Sequence, residues 1–225
     1  MTHAKPLSVL KNLTLARANK RTMMHFAESM GLVYFGHVDG RGDDTQLIRG
    51  LTVSGNHHDK HYCVGSLYGY DVAYVERTDT LQVPGKPTVT HNWLVMQFDL
   101  HTTHDLPHVF LGLHTHSEAF YASLFTKFST LQKIPLGTFE TYDKAFTARY
   151  AIYTSPAKAL DAERIFDSAV TQTLLKHFGT ITVEIHQGCL YLYSEHRRIT
   201  ESLLDAMVKN GIWLAKHIDA RAEQL

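Results

Sequence analysis

Hydrophobic and polar residues alternate most regularly within residues 91–118, HNWLVMQFDLHTTHDLPHVFLGLHTHSE. Between residues 93 and 100, apolar side chains occupy every second position, and a period of two is that of a β-strand. After a connection that turns at Pro107, the segment Val109–Leu113 is apolar on both faces, which is typical of a strand inside a sheet. We therefore expect this stretch to supply two strands and the centre of the core.

The same period predicts further strands, which turn-forming residues separate. The predicted strands are residues 32–38, 45–53, 62–68, 71–77, 146–153, 181–185 and 190–193. The sequence DGRGDD at residues 39–44 is predicted to turn between the first two. Residues 78–90 are predicted to form a loop, because Pro84 and Pro87 flank Gly85 and proline is a poor partner in a β-ladder.

Four stretches place apolar residues three to four positions apart, which predicts amphipathic helices. They are residues 1–30, 119–131, 157–178 and 200–221. Ser117 is the predicted N-cap of the second helix, and Pro156 suits the first turn of the third. The third helix is expected to break near residues 167–168. Gly211 leaves a gap in the apolar stripe of the last helix.

These elements predict an α+β fold: an antiparallel β-meander sheet packed with helices, ending in a long C-terminal amphipathic helix. Residues 1–30 are predicted to be an N-terminal helical segment, and residues 31–225 a single α+β domain. A sub-boundary near residues 132–138 is the alternative. A chain of 225 residues is long enough to bury one sizeable core.

Composition narrows the class of partner. The formal net charge is zero with neutral histidine, so no overall field attracts nucleic acid, and we expect none as a partner. No stretch approaches the roughly 20 apolar residues that span a bilayer, which favours a soluble cytoplasmic protein. The basic residues of the first helix leave contact with a membrane surface as an alternative to a solvent-exposed helix face.

The two cysteines, Cys63 and Cys189, are far apart in the sequence. Isolated cysteines of this kind are typical of reduced, half-buried thiols in a cytoplasmic protein. One disulfide between them is the alternative.

The order of features along the chain carries a family resemblance. In chain order these are Val64-Gly65 with Gly69, Asp71-Val72, Glu76, Trp93-Leu94-Val95, Asp99-Leu100, Leu106-Pro107, Phe146, Tyr150-Ala151-Ile152-Tyr153, Pro156 and Leu190-Tyr191-Leu192-Tyr193. Residues 61–219 resemble a family of uncharacterised bacterial α+β proteins, which share a β-meander followed by a helix-and-hairpin half. The resemblance implies a fold and brings no activity or catalytic set with it.

Histidines are the candidate chemistry, since six of the chain's 16 lie within residues 91–118. His114 and His116 are two apart, and on a strand both side chains would project to the same face and could share a metal ion. His101, His104 or Asp105 would supply a third ligand. The favoured interpretation is histidines that hydrogen-bond to backbone and water, with no cofactor. The alternative is a metal site of His101, His104, His114 and His116, for zinc or another divalent transition metal.

Complete catalytic templates are missing from the sequence. It holds no H-E-x-x-H, no G-x-S-x-G and no glycine-rich phosphate loop. We therefore favour a non-enzymatic binding or scaffolding domain with a protein or small-molecule partner. The alternative is a metal-binding protein or a metal-dependent hydrolase that uses His114 and His116. Nine of the 16 histidines fall within residues 57–116, so acidification is also expected to destabilise that region.

Overall fold

A computed structural model describes residues 6–36, 48, 50, 57–82, 87–137, 141–195 and 198–224, with side chains from residue 13 onward. Within these ranges it contains one antiparallel sheet of nine strands. They are β1 Val33–Gly36, β2 His58–Leu67, β3 Tyr70–Leu81, β4 Val89–Asp99, β5 Val109–Leu113, β6 Gln132–Lys133, β7 Tyr150–Thr154, β8 Thr182–His186 and β9 Cys189–Ser194. Their spatial order in the sheet is β1-β2-β3-β4-β9-β8-β5-β7-β6.

Six α-helices pack with this sheet in the described part of the chain. They are α1 Pro6–Met30, α2 Glu118–Leu124, α3 Lys144–Arg149, α4 Ala159–Ile165, α5 Ser168–His177 and α6 Glu201–Ala222. A single 3-10 turn at Pro156–Lys158 precedes α4. None of the described helices is long and apolar enough to cross a membrane.

The two faces of the sheet bury separate apolar clusters. Leu94, Met96 and Phe98 of β4 point to the first face, where α1, α4, α5 and α6 contribute to the core. Trp93 and Val95 point to the second face, which residues of and after α2 cover. Because both faces are covered, β4 is buried on both sides rather than on one.

The predicted α+β fold with a long C-terminal helix is confirmed. The strands β1 to β4 form the predicted meander. The β8–β9 hairpin turns at Gln187 and Gly188, which both have positive φ, as a two-residue hairpin of this kind requires. Thr200 caps α6 by accepting a hydrogen bond from the Leu203 N–H.

Strands β4 and β5 follow each other in the sequence but are not neighbours in the sheet. The stretch 91–118 supplies both, and the β8–β9 hairpin lies between them. The predicted loop at residues 78–90 is wrong at both ends, since β3 and β4 pair as far as Leu81 and Val89. Pro87 lies beyond that last pair, so it removes no ladder hydrogen bond. Pro84 lies outside the described residues.

Two aromatic stretches adopt different structure from that predicted. The predicted strand at 146–153 begins only at Tyr150, because Asp143 caps the short helix α3 ahead of it. The helix predicted at 119–131 ends at Leu124, and Phe128 and Leu131 follow in successive turns. Ser117 is its N-cap, as expected. The predictions for residues 39–44 and 45–53 lie outside the described residues, apart from positions 48 and 50.

Helix α1 is fixed to the sheet by Asn19, a buried polar residue. Its amide nitrogen donates to Glu76 Oε1 at 3.2 Å, and its amide oxygen accepts from the backbone N–H of Ile199 at 3.0 Å. Met23 and Phe26, on the same side of α1, lie in the core of the first face. Asn19 therefore links α1 both to β3 and to the segment that leads into α6.

Helix α6 approaches β4 closely at Gly211. A Cβ atom at this position would overlap the ring of Phe98, which has no exposed surface. The gap in the apolar stripe of α6 is thus filled by Phe98 from the sheet.

We expect Gly211→Ala to destabilise the protein by about 1–3 kcal/mol, because the methyl group would force the Phe98 ring out of a packed position. In an open helix interior, the same change stabilises by about 1 kcal/mol, so the sign is diagnostic. Urea unfolding followed by far-UV circular dichroism measures it. Lys216→Ala, at an exposed position of the same helix, should stay within about 0.5 kcal/mol of the parent. A more stable Gly211→Ala variant would contradict the Phe98 contact.

Candidate functional site

A cavity of about 210 Å³ opens on the second face of the sheet, beside α2. We call it the His116 pocket. Its lining residues are Trp93, Leu113, Thr115, His116, Thr180, Thr182, Tyr193 and Glu195. They come from β4, β5, β8 and β9, from the turn between β5 and α2, and from the residues just before β8 and just after β9. Residues distant in sequence meet because the β8–β9 hairpin lies between β4 and β5.

The position of α2 beside the pocket is set by Tyr121. Its ring lies against Gly112 of β5, where an added Cβ atom would be 2.6 Å from the ring carbon Cζ. Its hydroxyl donates to the carbonyl oxygen of Leu113 at 2.7 Å. Glycine at position 112 therefore lets α2 approach the sheet, and the adjoining turn brings His116 to the pocket.

Two polar atoms in the pocket residues are buried without a hydrogen-bond partner among the described residues. They are the indole nitrogen Nε1 of Trp93 and the hydroxyl oxygen of Thr182. Trp93 is 2% exposed and Thr182 is 4% exposed. A buried polar group that lacks a partner costs about 1–3 kcal/mol, and both groups belong to side chains that line the same cavity.

Behind the pocket, Glu184 is a fully buried carboxyl group. Its oxygen Oε2 accepts a hydrogen bond from the Tyr193 hydroxyl, and Oε1 lies 2.8 Å from Nε2 of His108. Burial and the neighbouring Glu184 raise the pKa of Tyr193 well above its ordinary value. Tyr193 therefore keeps its proton, and both oxygens of Glu184 are engaged inside the protein.

Gly50 packs directly against Tyr193 and Glu184. An added Cβ atom would lie 3.2 Å from Glu184 Oε2 and overlap the Tyr193 hydroxyl, and the φ of Gly50 is +125°. The backbone carbonyl of Ile48 accepts from Arg77 at 2.8 Å. Arg77 is itself fully buried and donates twice to Asp59, at 2.7 Å each. Burial lowers the pKa of Arg77, but the hydrogen bond and charge of Asp59 more than offset this.

At the pocket, His116 pairs with Glu195. Nε2 of His116 lies 2.9 Å from Oε1 of Glu195, and the imidazole stacks on the Phe120 ring with centroids 4.1 Å apart. His91 packs against the same phenyl ring. Burial lowers the pKa of His91; the carboxylates of Glu195 and Asp79 raise it, and His116 lowers it further.

The four histidines of the predicted metal site fall at two separate surfaces. His101 and His104 line a shallow pocket with Asp219 and Glu223 at the end of α6, whereas His116 lines the pocket described above. In the described ranges, no group of three or more His, Cys, Asp or Glu side chains is arranged to hold a metal ion.

The expectation that His114 and His116 project together from a strand is corrected. Strand β5 ends at Leu113, and the chain turns so that the His116 N–H donates to the Leu113 carbonyl at 3.2 Å. His114 is exposed, while His116 is half-buried. The same-face rule for positions two apart holds only for extended backbone, so it does not apply to this pair.

Asp219 organises the shallow pocket that His101 and His104 line. Its oxygen Oδ1 accepts from the backbone N–H groups of His101 and Thr102, at 3.0 Å each. Its other oxygen accepts from the Tyr70 hydroxyl at 2.7 Å, and the Tyr70 ring stacks on His101. These contacts anchor the connection after β4 to α6.

Neither cysteine forms a disulfide. Cys63 is buried, and burial raises the pKa of its thiol to about 12. Cys189 is half-buried, with Gln97 and Asp99 beside it. The Cys63 thiol stays protonated near neutral pH and is a poor nucleophile.

The sequence pattern identifies His116 but misses the other pocket residues. The alternation along β4 places Trp93 on the face opposite Leu94, which is correct, yet nothing local marks Thr182 or Glu195 as its neighbours. Those contacts depend on the pairing of β9 with β4 and of β8 with β5. The paired residues are 90–100 positions apart for β4 and β9 and 72–76 apart for β5 and β8. Pairing over such distances leaves no periodic signal in one sequence.

Comparisons with known proteins bear on the fold alone. No protein-family model matches the chain, and no curated protein matches it. Among solved structures, it is similar to the mycobacterial trehalose monomycolate transport factor A, TtfA, with a TM-score of 0.60 and 14% sequence identity. The match covers 91% of this chain and 94% of that chain. It agrees with a resemblance that implies a fold and brings no activity.

We expect the protein to lose stability as the pH falls below about 6.5, the ordinary histidine pKa. Burial lowers the pKa of both His91 and His217 in the folded chain. The unfolded chain therefore takes up protons first, and stability falls until the pH passes the lower, folded-state values. Urea unfolding measured from pH 7.5 to pH 5.5 tests this.

The matched variants are His91→Asn and His104→Asn. His91→Asn should make the pH dependence shallower, because one group with a lowered pKa is gone. His104→Asn should leave the slope unchanged, because His104 is exposed. Equal slopes for His91→Asn and the parent would show that His91 does not contribute.

Proposed function

We propose that this chain is a non-enzymatic binding domain, and that the His116 pocket is its site for a small molecule. The observation that carries the proposal is the pair of buried atoms, Trp93 Nε1 and the Thr182 hydroxyl oxygen, which have no partner among the described residues. A bound molecule that bonds to both would recover the free energy that their burial costs. The site is concave, and half of its lining residues, Trp93, Leu113, Thr182 and Tyr193, belong to strands.

The titratable groups around the pocket favour binding over catalysis. A general base or a nucleophile needs a pKa near the working pH. Instead, burial raises the pKa of Tyr193 and Tyr121, and it raises that of Tyr153 to about 12. Glu184 directs its two oxygens to Tyr193 and His108 rather than to the cavity. Tyr193, Tyr121 and Tyr153 therefore keep their protons near neutral pH and shape the site.

The fold match supports an accessory role. The similar solved protein, TtfA, is a trehalose monomycolate transport factor. We take from it the class of role, a factor that assists transport by binding, and not the ligand. A cytoplasmic location is part of this proposal.

Trp93 reports directly on the pocket, because the chain has only two tryptophans and the other, Trp213, is 37% exposed on α6. The test titrates the ¹⁵N-labelled full chain with a panel of neutral, anionic and cationic one-ring compounds and follows the indole N–H signals by NMR. We expect at least one compound to move the Trp93 signal saturably. The Trp213 signal should not move. Trp213→Phe assigns the two signals and should retain the response. A Trp93 signal that no member of the panel moves would overturn the proposal.

The metal hypothesis for His101, His104, His114 and His116 makes an opposing prediction. If the pocket binds a small molecule without metal, Trp93 should respond to that molecule equally in purified protein with and without a chelator. Elemental analysis that finds a stoichiometric transition metal, lost in the variant His114→Ala/His116→Ala, would favour the metal hypothesis instead. The Trp93 signal of the same variant shows whether it still folds.

A further inference from the structure

The His116 pocket contains both hydrogen-bond donors and hydrogen-bond acceptors, and this combination restricts which ligands can bind. The Trp93 indole N–H can only donate, so it requires an acceptor from the ligand. The Thr182 hydroxyl can donate or accept. Glu195 is an exposed carboxylate that pairs with His116 through Oε1, and its other oxygen can accept a hydrogen bond from the ligand. A molecule that satisfies all three must carry both an acceptor and a donor.

Charge restricts the ligand further. An anion would approach the carboxylate of Glu195, and the carboxyl group of Glu184 lies directly behind Tyr193. A cation would lie against the indole N–H of Trp93, and the partial positive charge on that hydrogen would repel it. Neither charge matches the buried end of the site, whereas a neutral group with an oxygen acceptor does.

Size and surface restrict the ligand as well. A cavity of about 210 Å³ exceeds the roughly 150 Å³ of an engineered cavity that holds one benzene ring. Leu113, Trp93 and Tyr193 supply apolar and aromatic surface to the wall, and such surface favours a ring with C–H faces over a fully solvated ion.

We infer that the His116 pocket binds a neutral six-membered ring that carries adjacent hydroxyl groups, with one hydroxyl oxygen accepting from Trp93 Nε1 and the neighbouring hydroxyl bonded to Thr182 and Glu195. This inference rests on the proposed function and adds the ligand class to it. Sugar rings and cyclic diols belong to this class.

Three compounds with the same ring separate the alternatives: cis-1,2-cyclohexanediol, cyclohexanecarboxylate and cyclohexylammonium. We expect the diol to move the Trp93 indole signal saturably with a Kd on the order of 1 mM. The carboxylate and the ammonium compound should bind at least tenfold more weakly. If either ion binds as well as the diol, the ligand class is wrong while the proposed function stands. If the diol alone fails in a panel where other compounds bind, the class is wrong as well.

Thr182→Val tests the assigned contact, because valine keeps the shape of threonine and removes the hydroxyl. Diol affinity should fall roughly three- to tenfold, as expected for one hydrogen bond. Thr88→Val, at an exposed position that does not line the pocket, should leave the affinity within about twofold. Unchanged diol affinity in Thr182→Val would overturn the inference.

The stability of the ligand-free variant provides a second readout. Because the Thr182 hydroxyl has no partner in the described protein, Thr182→Val should be as stable as the parent or more stable. A clear loss of stability would mean that the hydroxyl is bonded within the protein, and the premise of the site would fail.

Discussion

Glu184 is a carboxyl group with no exposed surface, and the second face of the sheet is arranged around the need to hydrogen-bond it. Leaving such a group unpaired in the interior would be costly. Its partners are Tyr193 on the next strand and His108 just before β5. Since one partner precedes β5 and the other belongs to β9, the carboxyl group ties together β5, β8 and β9, each of which contributes one residue to the pocket wall. The Tyr193 ring is thereby held as one side of the His116 pocket.

The same face shows two ways of treating buried polar groups. Arg77 is satisfied by Asp59 and by the Ile48 carbonyl, and Tyr121 by the Leu113 carbonyl. Trp93 Nε1 and the Thr182 hydroxyl are not satisfied within the described protein. Two neutral groups without partners in side chains that line one cavity are consistent with a site completed by a ligand. Stability and binding are linked here, because ligand binding would relieve a cost that folding incurs.

Much of the fold could be predicted from the sequence, because local patterns carry it. The alternation in β3 and β4, the turn at Gly188 and the amphipathic stripe of α6 are each visible within a short stretch of chain. The predictions of a loop at residues 78–90 and of a strand beginning at residue 146 were wrong for physical reasons. Proline beyond the end of a ladder does not weaken it, and a cap such as Asp143 overrides the strand preference of aromatic residues.

The candidate site could be predicted only in part. The histidine-rich stretch indicated His116. His114 and His116 do not share one face of a strand, however, because the chain turns after Leu113. Thr182, Tyr193 and Glu195 reach the pocket through long-range strand pairing. A single sequence encodes such pairing in the packing of many residues rather than in a motif, so the chemistry of the site becomes visible only when the strands are placed.

The most direct test of the His116 pocket as a ligand site is a crystal structure of the full chain with cis-1,2-cyclohexanediol at a concentration near its measured Kd. We predict one diol in the pocket, with a hydroxyl oxygen within about 3.2 Å of Trp93 Nε1 and its neighbour within hydrogen-bond reach of Thr182. A diol bound at another surface, or a Trp93 nitrogen bonded to a protein group instead, would contradict the proposed site.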